Sequence, residues 1–263
     1  MDLRLTGKRA FVSGSTQGIG FAIARALLAE GASVVVNGRD DERVRAAVRD
    51  LAATVPGADV SGIAADFRDA GQVARLLETL GEVDILVNNV GLFEVKAFED
   101  VTDDDWQRYV DVNLMSGVRL SRHVLGGMLA RNRGRILFVS SESGVNVPAD
   151  MVHYGVTKAA VLALGNGLAK LTRGTDVTVN TILGGPTYSD GVADTVGAIA
   201  RSQSMPVDDL KAAIIGGNHT SLLERFIDPQ EIAHLAVYLA SPLSSATNGA
   251  SLRADGGVLT SLL

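Results

Sequence analysis

The 263-residue chain has no cysteine, so disulfides and thiolate metal centres are excluded, and thiol usage says nothing of its redox compartment. Proline is scarce, at 6 residues, and no Pro/Ser-rich linker, repeat or low-complexity tract interrupts the chain. A single domain over residues 1–263 is the expectation. No segment is long and apolar enough to span a bilayer, which argues against a membrane partner. The formal charge of -6 argues against nucleic acid as a main partner. The four histidines (His123, His153, His219 and His234) lack the i, i+4 spacing of a helical metal site, and no metal is expected. The opening stretch MDLRLTGKRAFVSG runs straight into an apolar strand with no separate signal-peptide hydrophobic region, so the expected location is cytoplasmic.

What is abundant is glycine, with 29 residues, and its placement is informative. The apolar run Lys8–Ser13 is followed by GSTQGIG and then by FAIARALLAE, which keeps helical spacing up to Gly31. Strand, glycine turn and helix in this order form a phosphate site. The backbone of Gly14, Gly18 and Gly20 lets a pyrophosphate approach, and the helix N-terminus offers free N–H groups and partial positive charge. Thr16, Gln17 and Ile19 lie in the same turn. A second apolar run, Ala32–Val36, ends in Asn37-Gly38-Arg39. An acid at this tip suits the free 2′-hydroxyl of NAD, whereas an arginine suits the 2′-phosphate of NADP. Asp40 and Asp41 read instead as the start of the next helix. Arg39 therefore favours NADP(H), with NAD(H) less expected.

Further strand ends carry polar groups. Asp66-Phe67 follows the run Asp59–Ala64, where Asp66 suits the adenine amino group or, as a competing reading, a helix cap shared with Asp69. Asp84–Asn88 closes with Asn88-Asn89-Val90-Gly91. Thr102–Arg131 reads as one long helix with a strong N-terminal signal, TDDDW, and contains Asn113 among apolar neighbours. That amide either makes buried structural bonds or distorts the helix and holds water near a site. After the strand RILFVS comes SSESGVNVPADMVHYGVTK, residues 140–158. Tyr154 and Lys158 share one helix face, where an ammonium lowers a phenol's pKa. The helix Val152–Leu171 is rich in small residues, which suggests a dimer surface. Residues 186–226 carry no firm pattern and read as a substrate loop or lid.

Taken together, SGSTQGIG, NNVG, Asn113, Ser141, YGVTK, NTILGGPT and NGASLRADGG resemble the short-chain dehydrogenase/reductase family along the whole chain. The resemblance implies an α/β, Rossmann-like, doubly wound parallel sheet of about seven strands. It implies hydride transfer between a nicotinamide and a carbonyl or secondary alcohol, most simply as an NADP(H)-dependent ketone reductase. By this likeness Asn113, Ser141, Tyr154 and Lys158 form the catalytic set, and Ser141 is preferred to Ser140 on family spacing. Asn88, Gly91, Gly185, Thr187 and Ser189 join the cofactor-binding residues, as do Tyr154 and Lys158, the latter holding the nicotinamide ribose. Asn113 would place a water that relays protons to Lys158. Three residues depart from the family pattern: Ser13 for Thr, Val90 for Ala, and Gly184 for Pro, the last predicting a more mobile loop. A homodimer or homotetramer is the family habit. Two other readings are a 3-oxoacyl-carrier-protein reductase, which would use Arg131, Arg133 and Arg173 as a docking surface, and a non-catalytic NADP-sensing protein. Glu142, Asn146 and Met151 are the first candidates for choosing the substrate.

Overall fold

The computed structural model describes residues 1–262. Seven short apolar runs form one sheet: β1 (Arg9–Val12), β2 (Ser33–Gly38), β3 (Val60–Ala64), β4 (Ile85–Asn88), β5 (Gly134–Ser141), β6 (Val177–Gly184) and β7 (Ser251–Ala254). Their order is β3-β2-β1-β4-β5-β6-β7 and every pairing is parallel. Strands buried on both faces need no polar alternation, which is why β4, β5 and β6 are buried at every residue.

The pleat divides the core in two. Ala10 and Val12 of β1 face α1 (Gly18–Ala29), α2 (Asp41–Thr54) and α9 (Pro229–Ala240). Phe11 faces α3 (Ala70–Leu80), α5 (Ser116–Ala130) and α6 (Val152–Leu171). Strand order reverses between β1 and β4, and ligands of such sheets sit outside the strand ends at that point.

The long helix expected over 102–131 is broken. α4 (Asp103–Tyr109) passes through a π-helical turn, Val110–Met115, before α5 resumes the normal pitch. Asn113 lies buried inside this turn. The region 186–226, expected as irregular loop, is mostly helical: α7 (Asp190–Ser202) and α8 (Val207–Gly217). Val196, Ala200 and Leu210 form a small core of their own with Tyr188 and Val192. Alanines and glycines dilute the apolar period there, so the pattern reads weakly until the two helices are paired. The small residues of α6 also serve inside the subunit. A Cβ on Gly165 would lie 2.6 Å from Thr181 Oγ1, so this glycine seats the helix on β6. Gly184 does not loosen a loop; it ends β6, paired with Ser141 and Ala254.

Candidate active site

A cleft of about 420 Å³ opens at the ends of β1, β2 and β4. Its floor is the glycine turn, held by side chains from three strands. Ser13 Oγ accepts from the main-chain N–H groups of Asn89 and Val90, at 2.9 and 3.1 Å. The Asn89 amide donates to the Ser13 and Gly14 carbonyls at 3.0 and 2.8 Å, and Asn37 Oδ1 accepts from the Gly14 N–H at 3.2 Å. Asn37 and Asn89 were not singled out from the sequence, where an amide at a strand end looks like any turn residue. Gly14 has φ +60°, and a Cβ there would stand 2.8 Å from Val90 Cα. On Gly20 a Cβ would stand 2.4 Å from both the Gly14 carbonyl and the Asn89 amide. Gly20→Ala is therefore expected to cost roughly 1–3 kcal/mol of stability by overpacking. It should also displace the turn and weaken NADPH binding. A melting curve with and without NADPH measures both.

The start of α1 has no side-chain cap, so its first N–H groups are open to an anion. One of them is taken by a carboxylate: Gly18 N–H donates to Asp190 Oδ2 of α7 at 2.6 Å. A charged oxygen at this place fits what a pyrophosphate requires. Thr16, Gln17, Ile19 and Ser189 line the same wall.

At the outer end, Arg39 is exposed on the tip of β2 and lines the cleft. Arg43, one turn into α2, lines it too and donates to Gln17 Oε1. Arg43 was missed because a helical arginine four residues on reads as a solvated charge. Asp40 caps α2 by accepting from Arg43 N–H at 2.8 Å, as expected. Asp69 caps α3, which releases Asp66 from that role. Asp66 is instead clasped by the Arg68 guanidinium at 2.6–3.1 Å, which holds its carboxyl below the usual range. Phe67 lines the cleft while contributing to the core. The Asn88 side chain turns away toward α5 and donates to Ser121 Oγ at 3.3 Å, so Asn89 rather than Asn88 braces the cleft. Thr187 also turns inward, its hydroxyl donating to the Gly185 carbonyl at 2.9 Å.

Beyond Gly91, at the inner end of the cleft, lie the remaining polar residues. Ser140 Oγ donates to the Lys158 carbonyl at 2.9 Å and joins β5 to α6, whereas Ser141 lies beside the Tyr154 phenol and acts to lower its pKa. The choice of Ser141 over Ser140 has this packing behind it. Lys158 Nζ donates to the Val139 carbonyl at 3.0 Å and lies 5.6 Å from the Tyr154 ring centroid. Burial lowers the lysine to about 8. Burial likewise pushes the tyrosine up rather than down, with Ser141 opposing the rise. The lowering expected from Lys158 is absent here: desolvation of the phenolate dominates, and the nearby Glu142 carboxylate adds to the rise.

Asn113 Oδ1 accepts from the Leu92 N–H at 2.7 Å, and its amide donates to the Leu92 carbonyl and to Thr157 Oγ1, both at 3.0 Å. The side chain is fully used in joining the π-turn, the strand-end loop and α6. A Cβ on Gly91 would lie 3.4 Å from Lys158 Nζ and 3.7 Å from Asn113 Oδ1, so this cleft residue sits within contact distance of both side chains.

The sequence profile described as "short chain dehydrogenase" matches residues 8–198, from just before β1 into α7. The chain belongs to the short-chain dehydrogenase family. Its relatives include two oxidoreductases of Bacillus subtilis (strain 168) without assigned substrates. YvrD is 44% identical and YvaG 43% identical, with all of both chains covered in each case. A solved relative, L-sorbose reductase of Gluconobacter frateurii complexed with NADPH and L-sorbose, superposes with a TM-score of 0.94 at 30% identity over 100% of both chains. This short-chain dehydrogenase is thus an oxidoreductase, with the family's doubly wound sheet and with NADPH-bound structures among its likenesses.

Proposed function

We propose that the chain is an NADP(H)-dependent carbonyl reductase, acting in reverse as a secondary alcohol dehydrogenase. The observation that carries this reading is a cleft lined by the glycine turn, Arg39 and Arg43, whose Gly91 wall lies against Lys158, itself beside Tyr154 and Ser141. The two guanidiniums suit a 2′-phosphate, the glycine turn and α1 suit the pyrophosphate, and Lys158 suits the inner ribose. When bound, the reduced nicotinamide supplies two electrons as hydride to the carbonyl carbon.

The protein's own residues handle the oxygen and the proton. Ser141 donates a hydrogen bond to the carbonyl oxygen as charge grows there, a type of contact worth about 10²–10³ in rate. Tyr154 then gives its proton to the alkoxide. Its raised pKa keeps the phenol protonated until that base appears. The Lys158 ammonium faces the phenolate left behind. Asn113 holds the π-turn against α6 and so helps to position Lys158, and the relay water expected of it would be placed by the same turn.

Two measurements follow. An NADPH-oxidation screen across carbonyl classes should find ketone turnover; tight NADPH binding with no turnover of any carbonyl would favour the non-catalytic reading instead. Lys158 also predicts a pH dependence. Its ammonium is present below about 8 and lost above. Since kcat/KM reports the free protein, kcat/KM for NADPH should be level below that pH and decline above it. Lys158→Met should give a low, flat profile, and an unchanged decline in the variant would assign it to another group. The carrier-protein reductase reading has less support, because Arg131 is paired with Glu82 at 2.8 Å and Arg133 with Asp84 at 3.2 Å.

A further inference from the structure

Beside the reacting groups lies a carboxylate that the mechanism does not use. Glu142 opens the 3-10 turn Glu142–Gly144 directly after Ser141 and is half-buried. Ser141 Oγ donates to Glu142 Oε2 at 2.6 Å, and Ser143 Oγ donates to Oε1 at 3.3 Å. Ser141 Oγ in turn accepts from the Ser143 N–H at 3.1 Å. No arginine or lysine among the described residues forms an ion pair with it. A carboxylate taken partly out of water, with Lys158 near enough to feel its charge but no direct ion pair, depends on its hydrogen-bond donors.

A conflict follows from proton counting. A serine hydroxyl has one proton to give. Ser141 gives it to Glu142 here, yet carbonyl reduction needs that same proton on the substrate oxygen. A plain ketone brings an acceptor and no donor, so seating it strips Glu142 of its shorter hydrogen bond. A ketone with a hydroxyl on the adjacent carbon brings both. Its hydroxyl can replace Ser141 on Glu142 while its carbonyl receives the released serine proton, and all four groups are paired. No covalent bond changes in this exchange; only hydrogen bonds move.

We infer that Glu142 is a specificity-determining residue selecting hydroxy ketones, by accepting the substrate hydroxyl next to the carbonyl and releasing Ser141 to the carbonyl oxygen. The inference rests on the carbonyl reductase reading and narrows its substrate class to hydroxylated carbonyls. Sites that pair with a substrate hydroxyl discriminate strongly against analogues lacking it, because the protein group is left unpaired.

The test is kcat/KM with NADPH for acetoin against 2-butanone and for hydroxyacetone against acetone. Wild type should prefer the hydroxylated member of each pair by roughly tenfold to a hundredfold. Glu142→Leu should bring the ratio close to one, chiefly through loss on the hydroxy ketones in KM. Glu142→Gln keeps the volume with a weaker acceptor and should lower the ratio at least about threefold. NADPH fluorescence titration establishes that each variant retains its fold, and Glu142→Gln decides alone if the leucine variant does not bind. Equal ratios in wild type and variants, with ketones still reduced, would overturn the role of Glu142 and leave the reductase reading standing. No turnover of any of the four carbonyls by wild type, with NADPH bound, would overturn both.

Discussion

Tyr154→Phe is expected to lower ketone reduction by about 10²–10⁴-fold while NADPH binds as in the wild type. The split follows from where the hydroxyl sits. Removing it takes away the proton the alkoxide must receive, and no second acid among the described residues stands in its place: Lys158 Nζ is held on the Val139 carbonyl and Ser141 on Glu142. The ring itself remains and keeps the packing of α6. The phenol is uncharged at neutral pH both folded and unfolded, so its raised pKa adds nothing to stability there and Tm should change little. Stopped-flow NADPH oxidation with fluorescence titration of the cofactor measures both halves. Turnover within tenfold of wild type would remove Tyr154 from the role of acid.

The second large effect is expected at the opposite end of the cleft. Arg39→Asp exchanges a cation for an anion where the 2′-phosphate would lie, and should lower the kcat/KM ratio of NADPH to NADH by roughly a hundredfold. The loss is of charge-assisted hydrogen bonds and the addition of like-charge repulsion. Arg43 stands beside it and will retain part of the phosphate affinity, so Arg39→Asp with Arg43→Ala should move selectivity further than either alone. Selectivity unchanged in the double variant would place the reading of the 2′ position elsewhere. Because Arg39 is exposed, the substitution should leave stability nearly unaltered, and that separates a cofactor effect from a folding effect.

Much of this was legible in the amino-acid order, for local reasons. Strands buried on both faces are largely apolar, so the runs of β1, β2, β4 and β5 stand out, and GSTQGIG between strand and helix has few other uses. The helix Val152–Leu171 was found at its full length, because Tyr154, Lys158 and their apolar neighbours keep one period. Asp69 and Thr102 act as caps through contacts within a few residues, and such contacts are visible in a linear chain.

What only the tertiary structure decided involves partners distant in the chain. Asn113 could be read as a structural amide or as a helix distorter; its bonds to Leu92 and Thr157, 21 and 44 residues away, make it a structural amide within the π-turn. Asn88 and Asn89 are identical in the text, and the twist of one strand sends the first toward Ser121 and the second under the glycine turn. Helicity in α7 and α8 comes from packing each against the other, which no local period announces. The sign of the tyrosine's pKa shift was likewise beyond the sequence. Spacing places Lys158 one turn away, but desolvation depends on everything that closes around Tyr154, and here it sets the direction of the shift.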